Sequence, residues 1–354
     1  MIEKKIKIRE KILKNRIVIS PMCQYSSKDG APNDWHYKHY SALASSNAAM
    51  LILESTAVNK RGKITHNDLC LSNRSQFSKF KKFVEHLKKI NKTIIIGLQI
   101  SHSGRKGSCQ TPWEGSKALR GKSSWKTIAP SLIKRSKHHP MPQQAKITDI
   151  KNLINDYKFC AKLADKAGFD AIELHMAHGY LLHQFFSPIS NTRKDVYGLK
   201  LKGRTKLILE ISRQIRNLWP KNKILGARIT ASDHLNAGIE LNDSIYLAKK
   251  LESLKFDYLS ISSGGIIPKT KLNPNPPAFR SKLSKQLKKH TNLKITTSGN
   301  LNDVKQINRL IKNKSIDFAT IARPFLRNPN WINENFKKNK LNKFIPKQYV
   351  RAFN

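Results

Sequence analysis

TIIIGLQIS, residues 93–101, is apolar nearly from end to end and closes on polar residues. A half-exposed strand would alternate; this run does not, so it reads as a strand of a parallel sheet buried on both faces. Outward from it, runs of the same kind recur as RIVISPM (16–22), AAMLILEST (48–56), AIELHMAH (171–178), ILGARITAS (224–232), YLSISSG (258–264), KITTSG (294–299) and DFATIAR (317–323). Segments with helical spacing lie between them, over 35–46, 75–90, 148–167, 204–217, 242–254, 279–289, 302–313 and 325–336. Eight strand–helix alternations predict the α/β class and a (β/α)8 TIM barrel. No linker interrupts the series, so residues 1–354 are expected to form a single domain with a C-terminal tail at about 340–354. A long excursion at about 102–147, rich in Gly, Ser, Pro and Lys, follows the third strand. Loops on that side carry the active sites of such barrels, so it reads as a lid or substrate cap.

Composition narrows the function classes. With 39% hydrophobic residues in 354 the chain has ample material for a core. No apolar run approaches the roughly 20 residues that cross a bilayer. The opening MIEKKIKIREKILKNR lacks a signal peptide's apolar stretch, which predicts a cytoplasmic protein. Cys23, Cys70, Cys109 and Cys160 show no CxxC spacing, against zinc ribbons, iron–sulfur clusters and a disulfide framework. Sixty-seven Lys and Arg against 23 Asp and Glu give a net charge of +44, which raises a rival reading, a basic nucleic-acid-binding protein on a barrel scaffold. The basic residues are spread over amphipathic segments along the whole chain, as A+T-rich codons produce, rather than gathered in one stripe.

Reactive groups of a barrel sit at its strand ends. There the chain places Cys23 and Tyr25 after strand one, Gln99 and His102 at strand three, His175, His178 and Tyr180 at strand four, and Arg228 on strand five. Two neutral imidazoles can donate N–H bonds to an oxygen that becomes negative while a phenol supplies a proton. The same histidines could equally be bonded to backbone. No carboxylate stands beside them to complete a ligand set, so no metal is expected. After the last two strands, Gly299 and Arg323 suit a phosphate, the glycine by letting backbone approach and the arginine as a bidentate partner.

SPMCQYS, GLQISHSGRKGS, HMAHGY, ARITASD and IARPFLRNP, in that order, resemble the Old Yellow Enzyme family of FMN-dependent ene-reductases, and most closely its bacterial thermophilic-like or xenobiotic-reductase branch, which carries Cys at the first strand. The likeness runs from about Lys14 to Arg351. It implies non-covalent FMN, with Ser20, Pro21, Met22 and Cys23 along the flavin, Ser55 beside the ring, Gln99 on the pyrimidine edge, Arg228 stabilising the anionic reduced form, and Gly299, Ala322 and Arg323 on the ribityl phosphate. His175 and His178 would bind a carbonyl or nitro oxygen, Tyr180 would protonate the α-carbon, Tyr25 and Lys106 would line the substrate pocket, and NADPH or NADH would be the reductant. Arg351, in the tail KQYVRAFN, would reach a neighbouring subunit's pocket in a homodimer or homotetramer. The chain departs from the family in DVYGLKLKGR, where an expected Gly-Gly and acidic residue are replaced. HMAHGYLLHQFF and PWEG also resemble flavin domains acting on aromatic or enoyl-CoA thioesters, an alternative substrate class. A Schiff-base aldolase using Lys106 is a further enzymatic rival. Nothing resembles the Gly-rich fingerprint of a dinucleotide-binding domain.

Overall fold

The computed structural model describes residues 1–268, 276–341 and 345–353. Eight parallel strands close a barrel in chain order: β1 (Ile17–Ile19), β2 (Met50–Ala57), β3 (Ile95–Ser101), β4 (Ala171–Met176), β5 (Ile224–Thr230), β6 (Tyr258–Ser262), β7 (Lys294–Thr297) and β8 (Phe318–Ile321), with β8 pairing back onto β1. Each strand coincides with one of the eight predicted runs, β2 alone extending one residue past its run, to Ala57. The helices α1 (Asp34–Ala44), α2 (Arg74–Ile90), α3 (Ile147–Lys166), α4 (Leu201–Leu218), α5 (Leu241–Ser253), α6 (Ser281–Lys289), α7 (Val304–Lys312) and α8 (Trp331–Lys338) belong to the outer ring. Their apolar faces explain their seats: in α2, Phe80, Phe83, Val84 and Leu87 recur at helical spacing and are all buried, and Asn73 caps the first turn by accepting from the Gln76 amide at 2.9 Å.

The structure corrects one expectation and adds one element. The helix predicted over 325–336 is two pieces, Arg323–Arg327 and α8, because Asn328 precedes Pro329, which drives it to an extended φ of −150°, and its side chain then accepts from the Asn330 amide. The N-terminus forms a hairpin of Ile6–Ile8 with Lys11–Leu13. Ile6, Ile8 and Leu13 plug the floor of the barrel against Val18, Met50, Ile95, Ile224 and Phe318.

Register sets the interior. Gln99 stands opposite Glu173, His175 opposite Arg228, and Arg228 opposite Ser260, so a polar tier crosses the barrel above the apolar floor. Gly226 makes room for the Tyr258 ring, which lies 2.1 Å from where a Cβ at 226 would be. The Tyr258 hydroxyl thereby reaches Glu173 at 3.0 Å. The excursion after β3 is folded: Ile128–Ala129 pairs with Gln143–Gln144, and the Arg193 guanidinium donates to the carbonyls of Pro130 and Ala145. Arg105, inside the excursion, ties it to the loop after β6 through the Ile266 carbonyl at 2.8 Å. Among the described residues no helix is long and apolar enough to cross a membrane.

Candidate active site

The turn after β4 carries most of the chemistry. His178 and Gly179 both adopt left-handed backbone, φ 57° and 73°, and a Cβ on Gly179 would meet the Gly265 carbonyl oxygen at 2.1 Å. The turn is held from behind. The His178 amide donates to Thr230 Oγ1 at 3.2 Å, the Gly179 amide donates to His183 Nδ1 at 2.7 Å, and His183 Nε2 donates to Asp233 Oδ1 at 2.9 Å. His183 and Asp233 are fully buried, and Asp233 also accepts from Ser187 Oγ and the Ile239 amide. Burial alone would raise the Asp233 carboxyl, but His183 and the other donors hold it below the ordinary carboxylate range.

His175 and His178 are bonded to each other, His175 also to a backbone amide and His178 to a side chain. His175 Nδ1 accepts from the Ala177 amide, which leaves its proton on Nε2, 3.2 Å from His178 Nδ1. His178 Nε2 lies 2.6 Å from Ser262 Oγ, a hydroxyl that can accept or donate and so lets His178 take either tautomer. Burial, then the Arg228 charge, pushes both rings well below the usual histidine range, so both are neutral N–H donors. Tyr180 packs edge-on to His175 at 4.8 Å between ring centres, and burial pushes its hydroxyl well up, keeping it protonated. Lys106 Nζ donates to the His178 carbonyl at 2.7 Å and stands 4.9 Å from the Tyr180 ring centre. Burial, then Arg135 and Arg105, lowers the Lys106 ammonium to about 7.

Across the mouth, Ser20 is tied to β8 through the Ile321 carbonyl at 2.9 Å, and Pro21, Met22, Cys23 and Tyr25 follow on a partly open loop. Buried Glu54 supports that loop by accepting from the Gln24 amide at 2.8 Å. A bulge in β2 between Leu53 and Thr56 turns Ser55 toward the same side, where its backbone bonds the Cys23 thiol. Burial and the charges of Glu54 and Asp68 raise that thiol well above its ordinary range, so it is no thiolate. Tyr25 meets Trp113 of the excursion edge-on at 6.0 Å.

At the centre, Arg228 is buried. Its Nη1 donates to Ser20 Oγ at 3.1 Å and its Nη2 to Ser298 Oγ at 2.7 Å, while Nε has no partner. Gln99 Nε2 donates to Glu173 Oε1 at 2.7 Å. Gly299, at φ 126°, has no room for a Cβ, which would stand 2.6 Å from the Phe279 ring and 2.9 Å from Arg280 Nη1. Ala322 precedes the short helix Arg323–Arg327, and the Arg323 side chain is exposed.

The mouth thus gathers Ser20 to Tyr25, Ser55, Gln99, Lys106, His175, His178, Tyr180, Arg228 and Gly299. Arg351 is not brought there: it is exposed on the turn Lys347–Phe353, whose Gln348 and Tyr349 line a cleft with Ser45, Asn47 and Asn91 at the opposite end of the barrel. Sequence reasoning missed Glu173, His183, Asp233 and Ser262. All four sit inside quoted stretches, but a buried His–Asp bond 50 residues apart has no local signal. In DVYGLKLKGR, Arg204 holds the loop by donating from Nε to the Phe186 carbonyl at 3.0 Å. Among the described residues no group of three His, Cys, Asp or Glu is placed to hold a metal.

Residues 3–342 match the model of the NADH:flavin oxidoreductase / NADH oxidase family. The chain belongs to this family, the Old Yellow Enzymes. It is 34% identical to an NADPH dehydrogenase of Clostridium acetobutylicum over 349 residues, 98% of each chain, and 34% identical to one of Listeria innocua over 352 residues, 98% of this chain and 97% of the relative. Among solved structures it resembles morphinone reductase in complex with tetrahydroNAD, with a TM-score of 0.80 at 20% identity, covering 96% of this chain and 91% of that one. A 2-naphthoyl-CoA reductase complex gives a TM-score of 0.85 at 20% identity, covering 97% of this chain but 53% of that longer one. These two establish the fold. As a member of the family the protein is an NAD(P)H-dependent flavin oxidoreductase with FMN as its cofactor. The residues present fit that group: a buried guanidinium with an unpartnered Nε at the barrel's centre, and a glycine after β7 whose backbone has no room for a Cβ.

Proposed function

We propose that this Old Yellow Enzyme reduces activated C=C bonds of α,β-unsaturated carbonyl or nitro compounds, and that the histidine pair with Tyr180 is the observation that carries the reading. Bound FMN supplies the hydride and accepts one from NAD(P)H. The chain's residues do the rest. A substrate oxygen seated between His175 Nε2 and His178 Nδ1 takes an N–H bond from each when Ser262 donates to His178 Nε2. Both rings are neutral, so they polarise the conjugated bond without transferring a proton to the oxygen. Tyr180, beside His175 and held protonated, delivers the proton to the α-carbon. Tyr25 adds a bond to the same oxygen, and Lys106 closes the pocket on the excursion side.

For the cofactor we assign Ser20, Pro21, Met22, Cys23 and Ser55 to the ring, Gln99 and Arg228 to its polar edge, and Gly299, Ala322 and Arg323 to the phosphate. Glu173, bonded to both Gln99 and Tyr258, keeps the amide from rotating. Arg351, remote from its own mouth, serves a partner's pocket in a homodimer or homotetramer, and the chain acts as a single cytoplasmic domain. The test is anaerobic: the yellow protein bleaches with NADPH and regains its colour on adding 2-cyclohexenone, with cyclohexanone as product. Bleaching with no reoxidation by any activated alkene would contradict the reading.

A further inference from the structure

The loop between β6 and α6 carries an arginine that neither the sequence reading nor the family resemblance singled out. Arg280 is half-buried at the end of that loop, with its guanidinium over the Phe279 ring at 4.2 Å. Its Nε donates to Ser263 Oγ at 3.0 Å, Nη1 to the Ser298 carbonyl at 3.2 Å and Nη2 to the Ser263 carbonyl at 3.4 Å. All of these acceptors are neutral. Among the described residues no carboxylate lies within ion-pair distance of it. The charge it feels is of its own sign: burial and then Arg228 lower its guanidinium to about 10.

A cation drawn out of water toward a second cation, with only dipoles around it, is costly unless an anion completes the site. The place for that anion is marked by Gly299, whose lack of a Cβ lets Arg280 pack against its backbone, with Nη1 2.9 Å from where a Cβ would stand. Serine hydroxyls and carbonyls fix the guanidinium so that its orientation is set before a ligand arrives. We propose that Arg280, beside Gly299, is a cation of the cofactor's phosphate cradle that selects FMN over unphosphorylated riboflavin. The proposal rests on the assignment of the flavin to this mouth and deepens it.

The full-length protein, stripped of flavin, is titrated separately with FMN and with riboflavin, following quenching of flavin fluorescence. In the wild type FMN binds more tightly than riboflavin. Arg280→Gln keeps a donor for the Ser298 carbonyl but removes the charge. Its FMN Kd rises about ten- to a hundredfold, the range for losing a hydrogen bond to a charged group, while its riboflavin Kd moves by less than about twofold. Arg280→Lys retains the charge and recovers most of the loss. Riboflavin binding serves as the check on folding. Equal weakening of both flavins by Arg280→Gln would show a merely structural arginine and overturn the proposal, as would an unchanged FMN Kd. A wild type that holds both flavins equally would overturn the phosphate role while leaving the flavin site standing. A wild type that binds neither would overturn the site assignment and the proposal with it.

Discussion

Asp233→Asn probes the support of the catalytic turn with almost no change in volume. Asp233 accepts from His183 on one oxygen and from Ser187 and the Ile239 amide on the other. An asparagine that keeps its carbonyl oxygen toward Ser187 and Ile239 turns its NH2 toward His183 Nε2. The imidazole must then carry its proton on Nδ1, which faces the Gly179 N–H at 2.7 Å, and that amide loses its acceptor. One orphaned buried donor costs about 1–3 kcal/mol, and exchanging charge-assisted bonds for neutral ones adds about 1 kcal/mol, so we expect a loss of about 2–4 kcal/mol. That is less than the about 5–15 kcal/mol of a typical protein, so the variant folds. With the Gly179 peptide released, His178 on one side and Tyr180 on the other lose their fixed spacing. A phenolic ligand, titrated by the long-wavelength band it induces with the flavin, should bind at least about tenfold more weakly. Denaturant melts measure the stability loss. Because the Asp233 carboxyl is held below its unfolded value, its contribution is present near neutral pH and is lost as pH falls through the acid range; the variant should lack that acid limb. A variant that loses stability yet binds the phenol as tightly as the wild type would refute the positioning argument.

Tyr180→Phe should slow alkene reduction by about 10²–10⁴ while flavin reduction by NADPH changes little; equal slowing in stopped-flow traces of the two half-reactions would remove its role as proton donor. Lys106, lowered to about 7, loses its charged bond to the His178 carbonyl as pH rises through neutrality. The kcat/KM for enone should therefore fall over that range, and Lys106→Met should flatten the profile. Gly226→Ala drives a methyl into the Tyr258 ring and should cost about 1–3 kcal/mol, read by thermal melting. Cys23→Ala should shift the flavin midpoint potential, measured by redox titration, and leave the flavin bound.

The barrel was legible because burial on both faces writes the same signature eight times: TIIIGLQIS needs no partner to be recognised as an interior strand. The N-terminal hairpin was not, since IKI and KIL are short, lysine-rich and buried on alternate residues, so they look like a charged leader until Ile6, Ile8 and Leu13 are seen filling the floor. At the site, residues at strand ends could be named because the fold fixes where strand ends meet. What could not be read is who supports whom. His183 was plainly visible in HMAHGYLLHQFF, but its purpose depends on Asp233, and that of Arg228 depends on Ser20 and Ser298, at sequence distances where only the closed barrel brings them together. Arg280 was invisible for the same reason, since an arginine before a helix is ordinary until no described carboxylate is found within ion-pair distance of it.

The most direct test is a crystal structure of the flavin-loaded protein soaked with p-hydroxybenzaldehyde. The account predicts the isoalloxazine lying along Ser20 to Cys23 with Arg228 at its polar edge, and the phenolic oxygen within hydrogen-bond reach of both His175 and His178. A flavin seated elsewhere, or a phenol bound with the two imidazoles still bonded to each other, would contradict it.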